Sequence, residues 1–481
     1  MNGTTGGALD LADVQGTILR GYRVDYGRHF VLEITDPAGG RSFLGSLVDG
    51  TAGMPQITTA APWASKPATM LNVGITYQGL LALGIPPNGS TGSSFPQSFV
   101  LGATNEQTAK KVGDVGSSAP KGWVGGLANG DQVHLILSLW AADSKKDLEN
   151  VTTVLQQAFQ AAGISQLGAL DGNALPDNKV HFGYTDNISQ PIVEGAPPTK
   201  RPRPDGNQPV APTGEFLLGY PSQNPGQTYS ISPSELSTNS SFGAFRYLLQ
   251  DVAAFEQFLH SESVALGMDP ELLAAKICGR WRNGIPLILS PDKPDTDPPL
   301  PIADINNYNY VSPDPAGGDP CGFVCPIGSH MRRTNPRDMQ VVGGGNNLHR
   351  IVRRNLPFGP PWDPRKPDDT PRGLVGYFLN ADLSNQFEFL QGQWVNQSTF
   401  VASASCPGYP GSNPVSNISG NDPILGQNNP ATTFTLPYPP SRTSNVVVKG
   451  VPEFVTTKGG AYCLLPSITG LKYLAALDPS G

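Results

Sequence analysis

The sequence predicts an α+β protein in two domains, and three observations carry that prediction. A chain of 481 residues exceeds what one hydrophobic core usually serves. Strand-like and helix-like stretches follow one another without the regular alternation of a parallel sheet. Residues 192–215 (IVEGAPPTKRPRPDGNQPVAPTGE) are rich in proline and charge, the composition of a linker or long surface loop. The division is expected there, between an N-terminal domain of residues 1–195 and a C-terminal domain of residues 196–481.

Residues 11–20 read as a short polar-to-apolar opening segment. His29-Phe30-Val31-Leu32-Glu33-Ile34 has the β-branched and aromatic content of a strand. An apolar piece follows at 71–83 and a second strand at 132–140. Ser144, with Asp147 three residues on, opens a helix in which Val151, Leu155 and Phe159 recur every four residues. In the second half a helix is expected over 242–260. Another starts at Asp269-Pro270-Glu271, where Asp caps the helix and Pro takes its first position. A Pro- and Asp-rich insertion covers 284–319, residues 372–394 carry apolar and aromatic residues at mixed spacing, and 445–450 and 461–465 read as closing strands.

Lys+Arg 32 against Asp+Glu 39 gives a net charge of −7, which offers no broad attraction to nucleic acid or to an anionic membrane surface. No run approaches the ~18 apolar residues of a membrane span. Residues 1–19 lack the charged start and apolar core of a signal peptide. A soluble protein is expected, with cytoplasmic and secreted locations both open and the oligomeric state unknown. The five cysteines form no dense disulfide framework. A Cys321–Cys325 bridge is compatible with their spacing, whereas a closed tetrahedral zinc site is not. Sequons at Asn2, Asn88, Asn150, Asn187, Asn239, Asn396 and Asn417 are no more than an Asn- and Ser-rich chain produces by chance.

Two stretches carry chemistry. In CPIGSHMRRTNPRDMQVVGGGNNLHRIVRRNLPFG, which begins at Cys325, His330 precedes a basic run, and Arg353, Arg354 and Asn355 precede Leu356-Pro357-Phe358-Gly359. An imidazole beside such a cluster can ligate iron while guanidinium groups neutralise the propionates of a haem. Upstream stands His181-Phe182-Gly183-Tyr184-Thr185-Asp186-Asn187-Ile188-Ser189-Gln190-Pro191. An Asp between a glycine turn and a proline stop is by itself most often a turn residue.

Taken in this order, the two stretches make the chain resemble the dye-decolorising peroxidases over almost its whole length. Gly183, Asp186 and Ser189-Gln190-Pro191 match the family's distal-acid segment, with Asn187 in place of its second glycine. His330 falls in a segment like the family's His-x-Arg-x-x-Asn-Pro-Arg. Arg353 precedes the matching Pro-aromatic-Gly turn. Gly373-Leu374, Phe387 to Gln391 and Trp394 look like its haem-cavity segment, with Gly376 where Phe is usual. Smaller matches lie at 13–16 and 454–460.

The resemblance implies two ferredoxin-like α+β domains with antiparallel sheets and a haem b, iron protoporphyrin IX, held mainly by the second. His330 would be the proximal iron ligand, Asp186 the distal acid–base and Arg353 the charge stabiliser, with Asn355 and Leu374 near the haem. Asn396 would accept the second N–H of His330, and Gly376 would widen the distal cavity. Hydrogen peroxide and aromatic reductants would be the partners, in a peroxidase of acidic optimum working through a ferryl intermediate. Bulky dyes cannot enter a haem cavity, so Trp394, with Tyr377 and Trp362, is the expected electron relay to the surface. His181 and His349 are expected to bond locally or to a propionate, Arg354 is open between a propionate and the surface, and Asp363, Asp368 and Asp369 are read as solvated rather than as a manganese site. The rival reading is a haem-binding protein with little turnover. Cargo of a nanocompartment is not expected, since 471–481 brings no targeting extension.

Overall fold

The computed structural model describes residues 9–198, 208–296, 299–342, 344–397, 420–437 and 446–478. Ten strands form among the described residues: β1 (Tyr26–Ile34), β2 (Thr69–Ile75), β3 (Leu135–Ala141), β4 (Ile164–Asn173), β5 (Ser241–Gln250), β6 (Val352–Phe358), β7 (Gly373–Asn380), β8 (Thr433–Leu436), β9 (Val446–Lys449) and β10 (Val455–Leu465). Eight of them make one antiparallel sheet in the order β4-β1-β3-β2-β10-β5-β7-β6, and β8 pairs with β9 apart from it.

The sheet is the same motif used twice. In β4-β1-β3-β2 the first and last strands of a strand–helix–strand–strand–helix–strand unit pair at its centre and edge, with helices Pro37–Asp49 and Lys145–Ala161 as the crossovers. The order β10-β5-β7-β6 repeats it, with helices Val252–Leu266 and Pro270–Cys278 as one crossover and a π-helical run (Ser384–Glu388 and Leu390–Val395) in the other. These are the two ferredoxin-like units expected from the resemblance. The halves join where Leu464 of β10 pairs with Ile75 of β2. The sheet then curls until its outer edges meet: a Cβ added to Gly172 of β4 would lie 2.8 Å from Leu356 Cβ of β6.

Local chemistry explains most boundaries. Ser144 caps the first long helix by accepting from the Asp147 amide, and Asp269 caps helix Pro270–Cys278 by accepting from Glu271 and Leu272. The apolar piece at 71–83 is two elements, strand β2 and helix Tyr77–Ala82, with Thr76 as the cap between them. The helix expected over 242–260 is corrected in the same way: residues 241–250 are strand β5, and the helix begins at Val252 behind its cap Asp251. Phe242, Ala244, Phe245 and Leu248 are buried on both faces of the sheet. The strand therefore shows no alternation, and its sequence cannot be told from a buried helix by periodicity. The closing strands form as expected, apart from Asn445, which lies outside the described residues along with Asn2, Cys406 and Asn417.

Inside the curl His29 is fully buried, with Nδ1 2.8 Å from Ser138 Oγ and its ring edge-on to Trp140 and Phe245. Burial pushes this histidine down to about 3, so it is neutral at any working pH. A second apolar cluster lies on the other side of the sheet's second half. It gathers Phe182 and Tyr184 ahead of Asp186, Leu248 and Phe378 from β5 and β7, Met331 beside His330, and Ile424 and Leu425. The segments that carry the distal and proximal residues thus share one packing unit.

Cys325 is a free, buried thiol, so the Cys321–Cys325 bridge is not made; Cys321 is disulfide-bonded elsewhere. Among the described residues no helix is long and apolar enough to cross a membrane.

Candidate active site

His330 opens the short helix His330–Thr334, and its side chain is 20% exposed. Its Nδ1–H donates to Asp422 Oδ2 at 2.8 Å, which leaves Nε2 as the ring's lone-pair donor. Asn396 is not the acceptor. Its amide donates to the Val112 and Gln391 carbonyls and accepts from the Gln427 amide, so it ties the end of the π-helical run to its neighbours instead.

Asp422 is fully buried, its Oδ1 accepting from the Ile424 and Leu425 amides at 2.8 and 2.9 Å. Burial pushes this carboxyl up, but His330, the Leu425 amide and Arg333 outweigh it and hold it below the ordinary carboxylate range. A carboxylate there makes the imidazole more basic than an amide would. In a chain that holds a haem through His330, replacing Asp422 by Asn is expected to weaken its retention by about 10–100-fold, the usual loss when a ligand's hydrogen-bond partner is changed. The rate of haem transfer to an acceptor protein measures it.

The basic run after His330 fastens the helix rather than facing a cavity. Arg332 and Arg333 are fully buried. Arg332 donates to the Cys325 and Asp319 carbonyls and lies over the Tyr310 ring; Arg333 donates to the Gly328, Trp394, Gln397 and Gly420 carbonyls. Burial pushes Arg333 down to about 10, still a cation at neutral pH. Arg337 bonds the Asn306 and Tyr308 carbonyls, and Arg354 bonds those of Thr17 and Ile18. These guanidinium groups are engaged by backbone oxygens, and Arg332 also by the Asp319 carboxylate at 3.2 Å, which corrects the expectation that the run neutralises propionates.

On β6, Arg353 and Asn355 alternate with Arg354 and Leu356. Arg353 sits opposite Phe378, Asn355 opposite Gly376 and Pro357 opposite Leu374, so Asn355 and Leu374 share the face of Arg353. The guanidinium Nη1 of Arg353 is 3.4 Å from Asp186 Oδ1, the two side chains being 34% and 24% exposed. They are open to a small molecule. The Asp186 loop is fixed by Asp186 N–H donating to the Asn178 carbonyl and Thr185 N–H to that of Arg282. Asn187 has φ +60°, the left-handed conformation that Asn tolerates better than most residues. The substitution of the family's second glycine therefore keeps its backbone.

A small, partly open cavity lies against Leu248, Phe378, Phe387 and Leu425, and Arg246 with Asp114 lines its polar side. Phe378 is the cross-strand neighbour of Arg353 and Leu425 follows Asp422 closely, but His330, Asp186 and Arg353 do not themselves line this space. Gly376 does not enlarge it. With φ +148°, a Cβ on Gly376 would lie 2.1 Å from the Arg354 carbonyl oxygen, so the position demands glycine because β6 passes too close.

Trp394 is 1% exposed and donates from Nε1 to the Val342 carbonyl; Tyr377 is also 1% exposed. Neither reaches the surface, and Trp362, the third member of the expected relay, is half-buried. His181 donates to the Phe358 carbonyl at 2.7 Å, and His349 stacks on Phe389 and donates to the Asn385 carbonyl. Asp363 and Asp368 pair with Arg365 and Arg372, and the described residues hold no group of three or more His, Cys, Asp or Glu placed for a metal ion.

Two linked ferredoxin-like units, a carboxylate-bound histidine and an Asp–Arg pair around one apolar cluster define a haem peroxidase of the α+β kind. No family model matches the chain. A dye-decolorizing peroxidase of Mycena epipterygia is 32% identical over 505 residues, covering 98% of this chain and 88% of that one. The multifunctional dye peroxidase of an Amycolatopsis species is 28% identical over 98% of this chain and 97% of its own. Among solved structures, a dye-decolorizing peroxidase in complex with 2,6-dimethoxyphenol superposes with a TM-score of 0.78 at 28% identity, over 97% of this chain and all of that one. The dye-decolorizing-type peroxidase of Auricularia auricula-judae gives 0.78 at 27%, over 98% of this chain and 100% of that one. The chain belongs to the dye-decolorizing peroxidase family, whose members are haem enzymes.

Proposed function

We propose that the chain binds haem b through His330 Nε2 and uses hydrogen peroxide to oxidise phenols, dyes and similar aromatic donors, with Asp186 and Arg353 as its catalytic groups. The observation that carries this is the Asp186–Arg353 pair at 3.4 Å, part-exposed beside the apolar cluster that also packs Met331. Haem retention alone requires neither group, which favours the enzyme over a binding protein.

The fit of a haem rests on donor chemistry. His330 offers one nitrogen with its proton turned toward a buried carboxylate, and Met331 beside it packs in the apolar cluster that holds Leu248, Phe378 and Leu425. When bound, the haem supplies the iron on which peroxide is cleaved and holds the oxidising equivalents. Asp422 keeps Nδ1–H in place and so fixes the tautomer that presents Nε2. Asp186 takes the proton from the nearer peroxide oxygen and gives it to the farther one, so that water departs. Arg353 steadies the negative charge that grows on that departing oxygen.

The topology supports a boundary near residue 195, since β4 closes one unit at Asn173, β5 opens the next at Ser241, and Asp186 lies in the connection. The disulfide at Cys321 supports secretion, because such bonds persist in oxidising compartments.

The haem-reconstituted chain is expected to be converted by one equivalent of hydrogen peroxide within a rapid-mixing experiment, and to be returned to its resting spectrum by 2,6-dimethoxyphenol. A resting spectrum unmoved by peroxide would transfer the reading to the haem-binding protein.

A further inference from the structure

The edge of the sheet carries a feature that neither the haem nor the reaction in itself requires. β6 is the last strand, so the outward N–H and C=O groups along it have no strand partner. At Arg353 the N–H donates to Gln190 Oε1 at 3.1 Å, and the carbonyl accepts from Gln190 Nε2 at 3.4 Å and from Arg354 Nη1 at 2.9 Å. The Gln190 amide thus acts at that residue as a strand would. The same Nε2 also donates to Asn187 Oδ1 at 3.3 Å, which closes the link back to the residue after Asp186. Ser189 and Ile188 are held from the other side by Asn306, which itself accepts from Arg280 and Arg337.

We propose that Gln190 is a positioning residue that sets the distance between the Asp186 carboxylate and the Arg353 guanidinium by clamping the loop of the one to the backbone of the other. The inference rests on the roles given above to Asp186 and Arg353. Besides Gln190, this loop meets β6 through the ion pair itself and, at the far end of the strand, through His181 on the Phe358 carbonyl; the pair is part-exposed, where such contacts are weak and mobile. A guanidinium on a four-bond stem beside a loop carboxylate has many geometries; the clamp at the Arg353 backbone selects among them. Lys179 and the Arg282 carbonyl hold the loop at Thr185, on its far side, and do not reach β6.

The test uses the haem-loaded chain with Gln190→Met, which keeps the length and removes every clamp hydrogen bond, and Gln190→Glu, which keeps the acceptor for Arg353 N–H and loses the donors. Equilibrium fluoride binding, followed by absorbance, reads the distal donor without turnover; rapid mixing with peroxide reads the reaction. Gln190→Met is expected to lose ten- to 100-fold in both, the scale on which an ångström of misplacement acts, with Gln190→Glu between it and the native chain. The resonance Raman signature of the His330–iron bond and the melting temperature should stay at their native values.

Native fluoride affinity and peroxide rate in Gln190→Met would overturn the inference. So would a loss that comes with an altered His330–iron signature, because the glutamine would then be supporting the fold at large. If the native chain ignores peroxide while fluoride binding still depends on Gln190, the clamp stands and the peroxidase reading falls. If the native chain reacts and both variants match it, the clamp falls and the reading stands.

Discussion

Replacing Asp186 by Asn slows the reaction of the haem-loaded chain with hydrogen peroxide by about 10²–10⁴-fold, the contribution typical of a positioned acid–base group. The substitution is close to isosteric. It leaves the Asp186 N–H bond to the Asn178 carbonyl and the Gln190 clamp in place, so the loop has no reason to move. It also removes an ion pair whose members are 34% and 24% exposed, a kind worth less than about 1 kcal/mol. Stability is therefore expected to stay nearly constant while the rate collapses, and that separation is what makes the variant informative. Rapid-mixing absorbance with one equivalent of peroxide measures it. Equal rates in both chains would assign the proton to water ordered by Arg353 and remove Asp186 from the mechanism.

The order of the segments made the family legible in the sequence, because His330, Arg353 and Asp186 each sit among residues their chemistry and backbone require. The strands at 29–34, 132–140 and 461–465 were legible for their β-branched and aromatic content. β5 was not, since Phe242, Ala244 and Phe245 are covered on both faces and their pattern carries no period. Asp422 was invisible for another reason. It follows Asn421 and precedes Pro423 in a Gly/Asn-rich stretch, which reads as a turn, and it lies 92 residues from His330. Only the fold brings the two together, through Asp422 N–H on the Val395 carbonyl at the end of the π-helical run. The arginines after His330 misled in the opposite sense: charge in a sequence suggests an exposed patch, but Arg332, Arg333 and Arg337 are buried and donate to backbone carbonyl oxygens of the surrounding loops. Asn187 and Gly376 looked like departures that weaken the site. In the structure both are answers to backbone geometry, one to a left-handed turn and the other to the close passage of β6.

That same closeness frames the second large effect. Arg353→Leu is expected to slow peroxide cleavage by about 10²–10³-fold, the cost of removing one donor aimed at developing charge. The backbone of residue 353 stays clamped by Gln190 in this variant, because both hydrogen bonds involve main-chain atoms that Leu also has. Position and chemistry can therefore be separated on one residue: Arg353→Leu keeps the strand and loses the guanidinium, whereas Gln190→Met keeps the guanidinium and frees the strand. Arg353→Lys should recover only part of the rate, since an ammonium supplies the charge but not the planar fork that can face Asp186 and a peroxide oxygen at once. The measurement is the second-order rate constant with peroxide in the three variants. A lysine chain as fast as the native one would show that charge alone suffices and that the geometry set at the edge of β6 is not what the reaction uses.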